Sequence, residues 1–509
     1  MPSVPVGTVR LSQAELPIVL TIDIGSSSVR TAAIDRRGRV IDRCGAVQAH
    51  RLRAPEPGAA EADAEQLIRR TMSCIDAAVD GLGRRVPDVS AVGVTTLVSN
   101  LVGIDREGRA LTPLYTYADT RAEADARRLR EELDEEQVHD RTGCRLHTSY
   151  LPARLHWLRR TRAADFAGVD RWVTIGELLS LRLLGRTAVS HSVASWSGLL
   201  DRRRMEWDQP LLDRLQVSPH QLSGLVDIAE PFVGLAGRYA KRWPALRDVP
   251  WFPAIGDGAA ANIGCGCVSP RRLALSVGTS SALRLVTEQP PERLPWGLWC
   301  YCVDRKRALP GGALTEGGNL YAWARQVLQL GRPERIEQKL AAMTPDSHGL
   351  TVLPFLSGER SPGWAGHARG AFQGVTVSTT ALDLLRAALE AVALRLAIVF
   401  EELARLSGNV EAVVAGGGAI SRSPAWLQMM ADAFGRPISA TETVETTCRG
   451  VGLLALESLG VLDGPLEEIA LLPGRIFEPV AEHHAIYRRA LERQRWLYDE
   501  LVANREAEE

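Results

Sequence analysis

Asp23 and Asp257 are the carboxylates of this chain whose settings suit chemistry on a phosphate. Asp23 lies near the end of the apolar run Ile18 to Ile24, and the turn Gly25-Ser26-Ser27-Ser28 leads into a second run ending at Ile34. Such a turn exposes main-chain N–H groups, adds hydroxyl donors and lets a phosphate approach backbone that carries no side chain. The plan recurs without the acid from Leu273 to Val286, with Gly278-Thr279-Ser280 at the bend. Two such turns can grip one polyphosphate from opposite sides. Only the first has a carboxylate placed to recruit a cation, so the pair reads as a magnesium-nucleotide clamp with unequal jaws, built on a duplicated ATP-binding fold.

Ile255-Gly256-Asp257-Gly258 sets the second acid between an apolar approach and a run of small residues. It can cap a helix. It can also be a general base aimed at a substrate hydroxyl, because the carboxyl ends of strands face the ligand crevice of open α/β sheets. Its place just ahead of the second turn favours the base. Farther on, Val413-Val414-Ala415 runs into Gly416-Gly417-Gly418, then Ser421 and a helix. Backbone without side chains suits a flat adenine ring, although a glycine triplet also makes a tight strand-to-helix connection.

Strands and helices must alternate to hold these turns in place, and the pattern reads as α/β layers. Helical spacing covers Ala62 to Leu82, a buried strand follows at Val89 to Thr95, and another at Leu101 to Asp105. Asp119-Thr120-Arg121 opens a charged helix from Ala122 to Glu132, either as a cap or as a polar site.

At 509 residues with 45% apolar content, the chain can fill two cores. Its formal net charge of −1 argues against nucleic acid or an anionic membrane as partner, and Arg202-Arg203-Arg204 reads as a solvated turn. No apolar stretch is long enough to span a bilayer, and residues 1–16 lack the pattern of a secretory signal. The eight scattered cysteines fit reduced thiols, hence a cytoplasmic setting. Cys265-Gly266-Cys267 and Cys300-Tyr301-Cys302 could together offer four thiolates to zinc, but their spacing and apolar neighbours favour ordinary buried thiols.

In this order the blocks resemble the FGGY family of carbohydrate kinases, from about Ile18 to about Leu501. Asp23 to Arg30 resembles the first phosphate motif, Gly256-Asp257-Gly258 the catalytic segment, Val277 to Ser280 the second phosphate motif, and Gly416 to Gly418 with Ser421 the adenosine motif. Gly370 to Val375, followed by Asp383-Leu384 and Ala387 to Glu390, fits a family signature. The resemblance implies an α/β protein of two actin-like, ribonuclease-H-like domains with an interdomain cleft. Residues 17–267 would bind the sugar and carry the first phosphate turn, and residues 268–501 would carry the second turn and the adenosine site. It implies ATP and Mg²⁺ as cofactors. Asp257 would be the catalytic base and a metal neighbour, and Asp23 would hold the metal through water. Nucleotide contacts would come from Asp23, Gly25, Ser26, Ser27, Ser28, Arg30, Gly278, Thr279, Ser280, Gly416, Gly417, Gly418 and Ser421.

Val98-Ser99 stands where glycerol kinases carry Arg-Glu, and Leu97 where many ketopentose kinases carry Gln. Tyr117 to Ala122, Arg141 to His147, Ser192 to Ser195, Gly297 to Tyr301, Gly358 to Trp364 and Glu445 to Cys448 are similar to the gluconate kinases of the family. The resemblance implies phosphorylation of D-gluconate to 6-phosphogluconate. Substrate contacts would come from Leu97, Val98, Ser99, Asp119, Arg121, His147 and Asp257, with Arg145 and Arg154 as further cations for a carboxylate. A ketose or alditol kinase of the same family is the alternative, and a nucleotide-driven scaffold or a sugar-responsive regulator the alternative of another class. A small-molecule sugar or sugar acid is the expected partner, and a homodimer is compatible with the sequence.

Overall fold

The computed structural model describes residues 7–416, 423–441, 445–470 and 472–504. Its frame is one sheet plan used twice. In the first half, Ile18–Ile24 pairs antiparallel with Ser28–Ile34 on one side and parallel with Val89–Thr96 on the other; Val89–Thr96 in turn pairs parallel with Ile255–Gly256. In the second half, Arg272–Val277 pairs antiparallel with Ser281–Leu285 and parallel with Ala412–Gly416, which pairs parallel with Ile438–Thr441. Among the described residues each sheet has seven strands. This is the two-domain, actin-like α/β architecture expected, and the chain passes from one sheet to the other between residues 257 and 271.

The central strands bury both faces: every residue of Ile18–Ile24 is buried. Helices supply the cover. Ala64–Leu82 starts at Asp63, whose side chain accepts from the Gln66 amide, and turns Leu67, Ile68, Ile75 and Ala78 inward. In the second half the 27-residue helix Ala381–Ser407 opens with a Thr380–Asp383 capping box and lies along the core formed by Leu273, Leu275, Leu283 and Leu285.

Two short helices join the halves. Asp257–Gly264 and Thr446–Ser458 cross so closely that a Cβ on Gly450 would lie 1.8 Å from the Ala260 carbonyl oxygen, and one on Gly264 would lie 1.8 Å from that of Thr446. Only glycine permits this approach. Although Thr446–Ser458 comes late in the chain, it packs on the first sheet, with Val451 against Gly93 and Gly452 against Ile34. Arg449 fixes the crossing by donating to the carbonyls of Gly38, Gly264, Ile469 and Ala470. Among the described residues no helix is long and apolar enough to cross a membrane.

Candidate active site

A cavity of about 180 Å³ opens between the halves. Val98, Ser99, Tyr117, Tyr150, Trp196 and Asp257 line it from the first half. Ser280, Arg284, Trp299, Tyr301, Arg360 and Trp364 face them from the second.

Asp257 reaches this cavity because Ile255–Gly256 ends there, paired with Thr95 and Thr96 at the edge of the first sheet. Gly256, not Asp257, caps the helix; Asp257 is its first residue, and its Oδ1 accepts the neighbouring Gly258 amide at 2.8 Å. Burial raises the pKa of Asp257, and the Arg284 guanidinium opposes that rise. Asp23 lies opposite Thr95 on Ile18–Ile24 and is 7% exposed. Its pKa is pushed up to about 7, by burial first and then by the charge of Asp257. The two acids therefore share one electrostatic site. Among the described residues Asp23 Oδ1 is buried without a hydrogen-bond partner. An orphaned oxygen beside a second carboxylate fits a hard divalent cation, which would relieve both burial and repulsion.

Each turn is closed by its glycine amide, across three residues in the first and two in the second. The Gly25 amide donates to the Ser28 carbonyl at 3.0 Å, and the Gly278 amide to that of Ser280 at 2.9 Å. Ser27, Gly278 and Thr279 are exposed, Ser26 and Ser280 half-buried. Ser28 Oγ accepts from Arg30 Nε at 3.0 Å, and Arg30 also reaches Glu445 at 3.4 Å. The amides of Gly318 and Asn319, at the start of the helix Gly318–Val327, brace the second turn through the carbonyls of Gly278 and Thr279. Gly416 ends its strand opposite Ser276. Gly417, Gly418 and Ser421 lie outside the described residues.

The residues expected on the sugar side divide. Val98 and Ser99 line the cavity, Ser99 with a φ of 51° and its Oγ donating to the Trp196 carbonyl at 2.5 Å. Leu97 turns into the first core. Asp119 and Arg121 form a buried ion pair at 2.6 Å that also engages Glu56 and Glu61, and neither is among the cavity-lining residues. Asp119 does not cap the helix Glu123–Glu132, whose cap is Ala122. His147 stands behind the wall, edge-on to Trp364 at 5.4 Å, and burial with nearby Arg360 brings its pKa down to about 3. Arg145 pairs with Glu135 and stacks on Trp296. Arg154 is 1% exposed and bound to main-chain carbonyls.

The cations that do line the cavity are Arg284 and Arg360. Among the described residues Arg284 Nε is buried without a partner, and so is Trp196 Nε1. The charge of Arg284 is felt at Asp257, that of Arg360 at Tyr150, Tyr301 and His147, which spreads positive charge from the Asp257 end to the Trp364 end. The Tyr301 ring stacks with Trp196 at 3.7 Å and with Trp299 at 4.2 Å, and Tyr301 shares a 2.6 Å hydrogen bond with Tyr150 across the halves. Sequence reading assigned Arg284 no role. Its signal was a lone charge inside the buried strand Ser281–Leu285.

All eight cysteines are free and buried. Among the described residues the thiols form no metal-sized group; only Asp346, His348 and Glu390 come within 4.8 Å of one another. Glu390 already accepts from Arg386, Tyr487 and His348, and Asp346 accepts from Arg493. A larger cavity, about 360 Å³, borders the helix Pro424–Phe434, and its Glu337 and Asp432 are likewise engaged by Ala425 and Val480 amides.

Comparison with known proteins agrees with this arrangement. Residues 18–264 match the N-terminal domain, and residues 273–459 the C-terminal domain, of the FGGY family of carbohydrate kinases. The chain is 28% identical over 459 residues to a gluconokinase of Bacillus subtilis (strain 168), covering 87% of this chain and 88% of that one. It is 30% identical over 507 residues to a glycerol kinase of Aromatoleum aromaticum, covering 94% and 98%. The ligand-bound xylulose kinase of Lactobacillus acidophilus shares its fold, with a TM-score of 0.87 at 24% identity over 95% of this chain and 98% of that one. Matched across both halves, the chain belongs to the FGGY family of carbohydrate kinases, and it is a phosphotransferase.

Proposed function

We propose that this kinase transfers the γ-phosphate of ATP to the terminal hydroxyl of a sugar acid, D-gluconate, giving 6-phosphogluconate. The observation that carries the reading is a cavity with a carboxylate at one wall and two guanidiniums along another. In this mechanism Asp257 accepts the proton of the attacking hydroxyl, and Arg360 holds the carboxylate toward the Trp364 end. Charge-assisted pairing of a guanidinium with a carboxylate is strong and directional. Ser26, Ser28, Gly278, Thr279 and Ser280 supply donors to the phosphates. Asp23, through water, and Asp257 would hold Mg²⁺, whose contribution is neutralisation of phosphate charge. Phosphoryl transfer is mainly alignment and charge stabilisation, which is what these groups offer. The sugar side falls to residues 17–267 and adenosine to 268–501, including Gly416, Gly417, Gly418 and Ser421.

A neutral ketose is the second reading. Arg284 is charge-partnered with Asp257, which leaves Arg360 alone to select an anion, and the relatives include glycerol, xylulose and apulose kinases. An ADP-release screen over gluconate, xylulose, ribulose, apulose and glycerol decides between them. The highest kcat/KM on gluconate supports the sugar-acid reading. Turnover of a ketose with none of gluconate overturns it.

A further inference from the structure

We propose that Arg154 is a positioning residue that sets the shape of the sugar cavity by tying together three segments of its first-half wall. The inference rests on the reading of the 180 Å³ cavity as the carbohydrate site. Arg154 lies on the helix Leu151–Thr161, 1% exposed, and is not among the cavity-lining residues. Its Nη1 donates to the Ser99 carbonyl at 2.8 Å, and its Nη2 donates to those of Thr116 at 2.7 Å and Thr148 at 3.0 Å. Each acceptor is in, or next to, the cavity wall: Val98-Ser99, Tyr117 and Ser149-Tyr150.

These segments are far apart in sequence and belong to different elements. Val98-Ser99 follows the strand Val89–Thr96, Tyr117 follows Leu114–Tyr115, and Ser149-Tyr150 leads into the helix that carries Arg154. The Ser99 loop, with a φ of 51° where a serine is strained, is held by Ser99 Oγ on the Trp196 carbonyl, by Asn100 Nδ2 on the Leu97 carbonyl at 2.7 Å and by the Ile175 amide on Asn100 Oδ1 at 2.8 Å, and Arg154 adds a hold on the Ser99 carbonyl itself. The guanidinium suits the task because its planar fork presents donors in fixed directions. Burial lowers its pKa only to about 10, so it stays charged at neutral pH. The nearby opposite charge, Asp119, is held by Arg121 instead, leaving Arg154 to the carbonyls.

A residue that only supports the fold would change the sugar and nucleotide constants alike; one that shapes the sugar wall would change the sugar constant alone. The test measures KM for ATP, and kcat and KM for whichever carbohydrate the wild type turns over, in Arg154→Met and Arg154→Lys, with Asp257→Asn alongside. Arg154→Met is expected to raise sugar KM at least about tenfold, with ATP KM within about twofold of wild type. Arg154→Lys keeps three donors on a shorter reach and is expected to raise it roughly three- to tenfold. If the methionine variant does not fold, the lysine variant decides. Sugar KM unchanged in each folded variant, or ATP KM rising in step with it, overturns the inference while an inactive Asp257→Asn leaves the site reading standing. An Asp257→Asn enzyme at the wild-type rate overturns the site reading itself.

Discussion

At the scale of the residue, the acids were legible and the cations were not. Asp23 and Asp257 sit beside glycine-bearing turns whose composition announces phosphate chemistry, so local sequence pointed to them. Arg284 and Arg360 join Asp257 only after strands of the second half fold against the first, and no local spacing carries that. Conversely, Arg121 looked free to meet a carboxylate, but its guanidinium is taken up by Asp119, Glu56 and Glu61. The prediction at this scale concerns Arg360. A hydrogen bond to a charged group contributes about 1.5–3 kcal/mol, so Arg360→Met should raise gluconate KM roughly ten- to a hundredfold. The same variant should change KM for a neutral ketose by less than about threefold. Steady-state kinetics on both substrates check it. Equal losses on both would show that Arg360 does not read charge.

At the scale of the element, the expected helix at residues 62–82 and strand at 89–95 are observed as Ala64–Leu82 and Val89–Thr96, because strong periodicity and a capping Asp63 fix them locally. The crossing of Asp257–Gly264 with Thr446–Ser458 was not legible, since nothing near Gly450 in sequence names Ala260 as its partner. Gly450→Ala should place a methyl against the Ala260 carbonyl and cost about 3 kcal/mol, at the upper end for overpacking. Chemical denaturation measures it, and an unchanged midpoint would mean that the two helices yield.

Glu316, between the strand Ala308–Leu314 and the helix Gly318–Val327, makes a second prediction about elements. It is 1% exposed, accepts from the Leu356 amide at 3.1 Å, and burial raises its pKa to about 7. The folded state then binds the proton more tightly than the unfolded chain. Its stabilising contribution is full below the unfolded value of 4.5 and is lost as pH rises through about 7. A shift of that size corresponds to roughly 3 kcal/mol. Glu316→Gln keeps the hydrogen bond and removes the ionisation, so its Tm should match the wild type at pH 4.5 and exceed it at pH 8. A variant less stable than wild type at pH 8 would contradict this.

At the scale of the whole molecule, the duplicated hairpin foretold two similar sheets, and the family pattern foretold a cleft between them. What the sequence could not convey is how the aromatic wall is shared: Trp196 and Tyr150 come from one half, Tyr301 and Trp299 from the other. Such pairing is a product of docking rather than of local order. The proposed function rests on the same docking, because Asp257, Arg284, Arg360 and Ser280 border one space only when the halves meet. The most direct measurement is a single turnover of ATP with gluconate, read by ³¹P NMR, for the wild type and Asp257→Asn. General-base catalysis contributes about 10²- to 10⁴-fold, so 6-phosphogluconate should form with the wild type and at least a hundredfold more slowly with the variant. Phosphorylated gluconate formed at equal rates by both proteins would contradict the account.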